Sequence, residues 1–268
     1  MDIMKRKSEF TAAEMPFLRN RASAGLVLAS CVLLLILLLP AFSPAFSVPE
    51  KLIFDLTWTG VKAGTAVLEA VDEKETIRLI STANSAAWVS VFYTVDDRVD
   101  SVLAKGKSQI FIGQTRNFRL KIREGKHRRD KEIVFDHSRH TALFIDHLDK
   151  TRERKEQTVH ENVFDPLSVL YYVRTITLEV GKPAYVDIFD SNKLWNVEIQ
   201  VLRKEKISTV LGEVEAVVIK PLMKSEGIFN RKGEMLIWLT DDQKRIPVKM
   251  QTKVAVGSIT ATLVGGRY

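Results

Sequence analysis

From Leu52 onward the dominant hydrophobic period is two. Phe118, Leu120 and Ile122 alternate with Arg119, Lys121 and Arg123, the pattern of a half-buried strand with one basic face. Gly125 turns the chain, and Ile133, Val134 and Phe135 return it. Similar runs lie at 52–58, 64–71, 76–82, 95–103, 141–147, 183–189, 195–203, 214–220, 234–239, 246–254 and 258–264. Turn signals separate them: Gly60, Asp72-Glu73, Gly106, Asp190-Ser191-Asn192, Gly212, Gly233, Asp241-Asp242 and Gly257. About a dozen short strands joined by tight turns predict a mainly β fold, an antiparallel meander forming a barrel or curved half-barrel.

Two segments break the rhythm. At about 165–176 the spacing predicts one short amphipathic helix: Asp165 as N-cap, Pro166 in the first turn, then Leu167, Leu170, Tyr171 and Arg174 at i, i+3, i+4 and i+7. In a curved sheet such a helix is expected to plug one open end. The polar stretch 149–162 before it reads as a loop. The other break, residues 85–95, is apolar and holds Trp88, Phe92 and Tyr93. It reads either as core or as a hydrophobic flap over a barrel mouth. As a flap, Trp88, Phe92 and Tyr93 become candidate ligand contacts, with Trp58 as a wall residue beside the Gly60 turn.

The N-terminus is of another kind. Residues 22–39 form an uncharged, largely apolar run behind Arg19 and Arg21, with Ala45 and Ser47 placed as the small residues of a cleavage site. This is the pattern of a signal peptide over 1–47, with Met1, Met4 and Met15 all open as the start. Two rival readings stand beside it. Eighteen apolar residues reach roughly 27 Å, enough for an uncleaved anchor at 22–39 in the inner membrane. Leu28-Ala29-Ser30-Cys31 resembles a lipobox, although an apolar run rather than a polar tether follows Cys31. All three readings place residues 48–268, expected to be a single β-rich domain, outside the cytoplasmic membrane, as a periplasmic protein in a two-membrane cell.

Charge and chemistry narrow the function classes. The chain of 268 residues carries a formal charge of +7. Residues 48–268 hold 35 Lys and Arg against 30 Asp and Glu, a net +5 too modest for nucleic acid. Eight Lys and Arg between Arg116 and Lys131, including Arg119, Lys121 and Arg123, make a basic hairpin. It is suited to anionic headgroups, acidic glycan or an acidic protein partner, or simply to guarding a sheet edge. Cys31 is the only cysteine, so the mature domain has no disulfide and no thiolate nucleophile. The five histidines cluster between His127 and His160 without the spacing of a metal site, and no nucleophile elbow or phosphate loop occurs. No cofactor, metal or catalytic residue is therefore expected. Asp241, Asp242 and Arg245 read as a hairpin turn.

Several motifs carry a resemblance. Phe54-Asp55-Leu56-Thr57-Trp58-Thr59-Gly60 with Ala63-Gly64-Thr65-Ala66 resembles the opening of the bacterial exported family called domain of unknown function 3108. The run from Asp165 through Pro166, Leu167 and Ser168 to Arg174, Ile237-Trp238-Leu239-Thr240-Asp241-Asp242 with Arg245-Ile246-Pro247-Val248, and the closing Gly257-Ser258-Ile259-Thr260-Ala261-Thr262-Leu263 are similar too. The resemblance spans about residues 50–268 and implies an exported β-rich fold without assigning an activity. Similarity to periplasmic lipoprotein carriers is one of fold alone. The expected function is non-enzymatic binding or carrying of an apolar, lipid-like ligand in the envelope. An envelope scaffold that docks on a protein through the basic hairpin or a sheet edge is the alternative, and an uncharacterised hydrolase comes third. Membrane contact is expected only through an uncleaved N-terminal segment.

Overall fold

The structure is a computed structural model that describes residues 46–105, 112–149, 151, 154–222, 234–254 and 256–268. The segment read as an export signal, with Cys31, up to Ala45, and the turn signals at Gly106 and Gly233 lie outside the described residues. Ser43–Tyr268 forms one compact unit.

The first half is a meander: β1 (Glu50–Trp58), β2 (Val61–Glu73), β3 (Thr76–Ser85), the one-turn helix α1 (Ala87–Ser90), β4 (Asp96–Lys105) and β5 (Ile112–Glu124). It continues through β6 (His127–Asp136), β7 (Thr141–Asp146) and β8 (Arg154–Thr158). The two-residue β9 (Val163–Phe164), helix α2 (Ser168–Val173) and β10 (Ala184–Asp190) follow. A second meander closes the chain: β11 (Lys193–Thr209), β12 (Gly212–Leu222), β13 (Met235–Thr240), β14 (Pro247–Lys253) and β15 (Ser258–Arg267).

Among the described residues fifteen strands join one sheet, in the order β8-β7-β6-β5-β4-β3-β2-β1-β15-β14-β13-β12-β11-β10-β9. Every pairing is antiparallel except β9 with β10. The first and last strands meet at the centre, and β8 and β9 are the two edges. Connectivity dictates the curvature. Fifteen strands about 4.8 Å apart would hold the edges of a flat sheet about 67 Å apart. The link from Thr158 to Val163 can reach only about 18 Å. The sheet therefore curls until its ends overlap, and β9 packs against β5. Phe135 of β6 meets Phe189 of β10 edge to face at 6.1 Å across the seam. His160 pairs with Asp187 there at 3.1 Å. Among the described residues no backbone ladder joins β8 to β9, so the sheet is a strongly curved half-barrel.

Two strands were not expected: the two-residue β9, and β8, which runs through the stretch read as a loop with all five of its residues exposed. The backbone ladder to β7 forms β8 without any apolar side chain. A short polar edge of this kind also discourages sheet-to-sheet association.

Antiparallel alternation sends successive turns to opposite ends. Turns 59–60 and 125–126, the α1 segment and turn 254–257 lie at one end. Turns 74–75, 137–140, 210–211 and 241–246 lie at the other, and α2 closes that second end. The helix is shorter than the 165–176 expected, and it has no solvent face: Ser168, Val169, Tyr171 and Val173 are all buried. It stitches two hydrophobic clusters together, with Leu167 and Tyr171 in one and Val169 and Val173 in the other.

Candidate functional site

Two polar knots hold α2 across the closed end. The fully buried Asp165 accepts through Oδ1 from Leu167 N (2.8 Å) and Ser168 N (3.0 Å), which caps the helix as its sequence position suggests. Its Oδ2 accepts from Ser101 Oγ of β4 (2.6 Å) and Thr115 Oγ1 of β5 (3.2 Å). Burial pushes this carboxyl above the ordinary carboxylate range, against the opposing pull of those hydrogen bonds. With four donors aimed at it, the group acts as a fastening.

At the other end of the helix Arg174 forks onto Glu50 of β1, Nη1 to Oε2 at 2.8 Å and Nη2 to Oε1 at 2.7 Å. Both side chains are only 1% exposed. Arg174 also donates to Lys244 O at 3.2 Å and stacks over the rings of Phe46 and Tyr171, each 5.2 Å away. The arginine expected on an amphipathic face therefore points inward, because Glu50 waits there. Sequence reasoning missed this pair. Its partners lie 124 positions apart, and no motif signals Glu50.

Between α2 and the sheet lies an apolar cavity of about 340 Å³. The helix supplies Pro166, Leu167, Val169, Leu170 and Val173 to one wall, and Leu68, Val99, Ile188 and Ile237 stand among the strand residues opposite. Toward the open end it borders a wider hollow of about 960 Å³. Leu56, Ala83 and Ile259 line both spaces and so stand at the boundary between them. Small or apolar strand residues such as these look like ordinary core in a sequence, so this boundary was not foreseen.

The flap residues stand at this mouth. Trp58, Phe92 and Tyr93 line the hollow together with Val89, Val95 and Val256. Trp58 Nε1 donates to Val256 O at 2.8 Å, fixing the ring against the turn before β15. Trp88 lies outside the lining: its Nε1 donates to Lys62 O at 3.0 Å, and its ring supports Phe92 at 5.9 Å. The segment 85–95 is thus a flap built on α1, and its large side chains are exposed. Asp97, Glu124 and Lys253 add a few polar groups to the mouth.

The basic face divides in two. Arg119 is half-buried and neutralised by Asp130 at 2.6 Å and Glu132 at 2.7 Å. Lys121 faces Asp130 across the ladder. Arg123 is exposed near the tip, 3.9 Å from Asp96. Positive charge is therefore offset at the base of the hairpin and remains in excess at its tip. The histidines scatter: His137 reaches Thr115 O at 2.6 Å, while His147 pairs with Glu132 at 2.8 Å. Asp242 organises its turn by accepting from Lys244 N, Arg245 N and Thr240 Oγ1. Among the described residues no helix is long and apolar enough to cross a membrane.

The fold is shared with a solved structure. A β-barrel-like protein from Brucella abortus, of the domain of unknown function DUF1849, superposes with a TM-score of 0.52 at 14% identity, covering 83% of this chain and 98% of that one. A putative exported protein with a YmcC-like fold from Bacteroides fragilis NCTC 9343 is more distant, with a TM-score of 0.33 at 9% identity over 85% of this chain and 99% of that one. No curated protein matches the sequence. The motifs noted in the sequence lie in β1 and its turn (Phe54–Gly60), around α2 (Asp165–Arg174), in β13 and its turn (Ile237–Asp242) and in β15 and the turn before it (Gly257–Leu263), and residues 53–264 match the model described as "Protein of unknown function (DUF3108)", the family to which the chain belongs.

Proposed function

We propose that this chain is an exported, non-enzymatic protein that binds or carries an apolar, lipid-like ligand in the cell envelope. The observation that carries the reading is an apolar cavity that adjoins the aromatic mouth, the two sharing Leu56, Ala83 and Ile259 as wall residues. A volume of 340 Å³ falls in the range of small-molecule sites, about 300–1,000 Å³, and its lining is almost wholly apolar. A scaffold that docks by its surface has no use for an empty interior. Export rests on the N-terminal pattern of Arg19, Arg21, residues 22–39 and Ala45-Phe46-Ser47.

The energetics set a length for the ligand. Each methylene moved from water contributes about 0.8 kcal/mol, and micromolar binding corresponds to about 8 kcal/mol. A chain shorter than about ten carbons is therefore expected to bind no tighter than micromolar.

Laurate titrated against the protein, followed by tryptophan fluorescence, should give a saturable change, because Trp58 lines the mouth and Trp88 adjoins it. Ala83→Phe should abolish that signal by filling the boundary between mouth and cavity while leaving the circular dichroism spectrum intact. No saturable signal in the unaltered protein would retire the reading in favour of an envelope scaffold.

A further inference from the structure

The rim of the mouth carries more apolar surface than a cavity wall needs. Val91 is 85% exposed, Val256 69% and Phe92 65%, all at the open end. Apolar groups held this far into water add nothing to the core, and grouped at one rim they mark a contact surface.

The basic hairpin tip stands beside them. Gly125 N donates to Thr94 O at 2.8 Å. Gly125 itself has φ +54 and lies so close to the Tyr93 ring that a Cβ there would come within 2.8 Å of Cε2. Between Arg123 and Arg129 the tip holds four Lys and Arg against Glu124 alone. Asp96 partly offsets Arg123. Arg128 Nη1 donates to the backbone carbonyls of Gly125 and His127, both at 2.7 Å, contacts that leave its charge in place. Lys126 and Arg128 thus supply an excess of positive charge directly beside the flap.

Exposed aliphatic and aromatic side chains next to unbalanced cations fit one occupant by chemistry. Aromatic rings settle at the headgroup level of a bilayer, short apolar tips enter the boundary with the acyl chains, and Lys and Arg near the surface are drawn to anionic lipid. We propose that the open end docks on the surface of an anionic phospholipid bilayer, with Val91 and Phe92 entering the headgroup region and Lys126 and Arg128 meeting the phosphates. This rests on the lipid-binding reading above and deepens it: an apolar ligand would pass between bilayer and cavity without crossing water.

The test uses the full chain in a Cys31→Ser background, with one environment-sensitive fluorophore at Val91→Cys or at Val210→Cys. Val210 is also apolar and 49% exposed, but it lies in the turn at the opposite end. Vesicles of phosphatidylglycerol and phosphatidylcholine carry a nitroxide-labelled lipid as quencher. Quenching is expected at 91 and not at 210. Any attachment through residues 22–39 is common to both chains and is therefore cancelled by the comparison. Lys126→Gln with Arg128→Gln should weaken the vesicle affinity about thirtyfold, about fivefold for each cation. Equal quenching at the two positions, quenching at neither, or indifference to the two charge changes would overturn docking. A label at 91 that ignores vesicles but is shielded from an aqueous quencher by envelope extract would also overturn it and assign the rim to a protein. Laurate binding by the charge variant, measured without vesicles, keeps the two proposals apart. It should be unchanged. If laurate does not bind the unaltered protein while quenching stays confined to position 91, docking stands and the cavity reading falls.

Discussion

The two ends of the half-barrel treat their polar and apolar groups in opposite ways. At the closed end Glu50, Asp165 and Arg174 are buried and satisfied by one another's elements, so that α2 is tied to β1, β4 and β5. At the open end polar atoms bond to the rim's own backbone, as Trp58 does to Val256 O and Trp88 to Lys62 O, while Val91 and Phe92 face water. Removing one partner of a buried charge pair leaves the other charge stranded, whereas trimming an exposed apolar residue strands nothing. One end of the molecule can thus hold the shape while the other stays free to meet something.

That contrast can be broken by measurement. The largest effect is expected from Arg174→Met, which should cost about 3–5 kcal/mol in a denaturant melt by isolating the Glu50 carboxylate. Adding Glu50→Gln to that variant should recover much of the loss. Leu170→Ala comes next. The side chain is half-buried and already borders an empty space, which puts it at the lower end of core truncations, about 2 kcal/mol. A value under about 0.5 kcal/mol would mean that the helix does not support the sheet.

Asp165→Asn sharpens the picture through pH. Burial raises the Asp165 carboxyl in the folded state, so the fold holds this proton to higher pH than the unfolded chain does. Its contribution to stability is complete below the unfolded value, about pH 4, and is lost as pH rises through the folded-state value. The stability of the unaltered protein relative to Asp165→Asn should therefore decline from about pH 4 upward. Parallel curves would show that the carboxyl is not raised. The smallest effect belongs to the open end: Phe92→Ala should change stability by less than about 0.5 kcal/mol, despite removing a whole ring. A cost exceeding that of Leu170→Ala would erase the distinction between the two ends.

Legibility from sequence followed the same division. Strands with one buried face announced themselves: Phe118 and Leu120 are buried, while Lys121 and Arg123 point out as their alternation requires. β8 could not be read, because Arg-Lys-Glu-Gln-Thr has no apolar residue to set a period. Composition marked residues 85–95 as a break but left core and flap both open, and the helix within it is too short for any period to show. At the closed end Asp165 was readable as a cap, since capping is local, whereas its bonds to Ser101 and Thr115 span 64 and 50 positions. The basic face was overstated for a related reason. Alternation shows that Arg119 leaves the core, but not that Asp130 and Glu132 meet it from the next strand.

The pairing of β1 with β15 has a consequence in time. Thr57 and Thr260, joined by a hydrogen bond at the centre of the sheet, are 203 positions apart. A sheet whose middle joins its earliest strand to its latest cannot be completed until nearly all of the chain has been delivered. Loop closure on this scale slows folding, since non-local pairings form late. A chain that reaches its native sheet only after β15 emerges can be threaded through a narrow channel still extended and assemble on the far side.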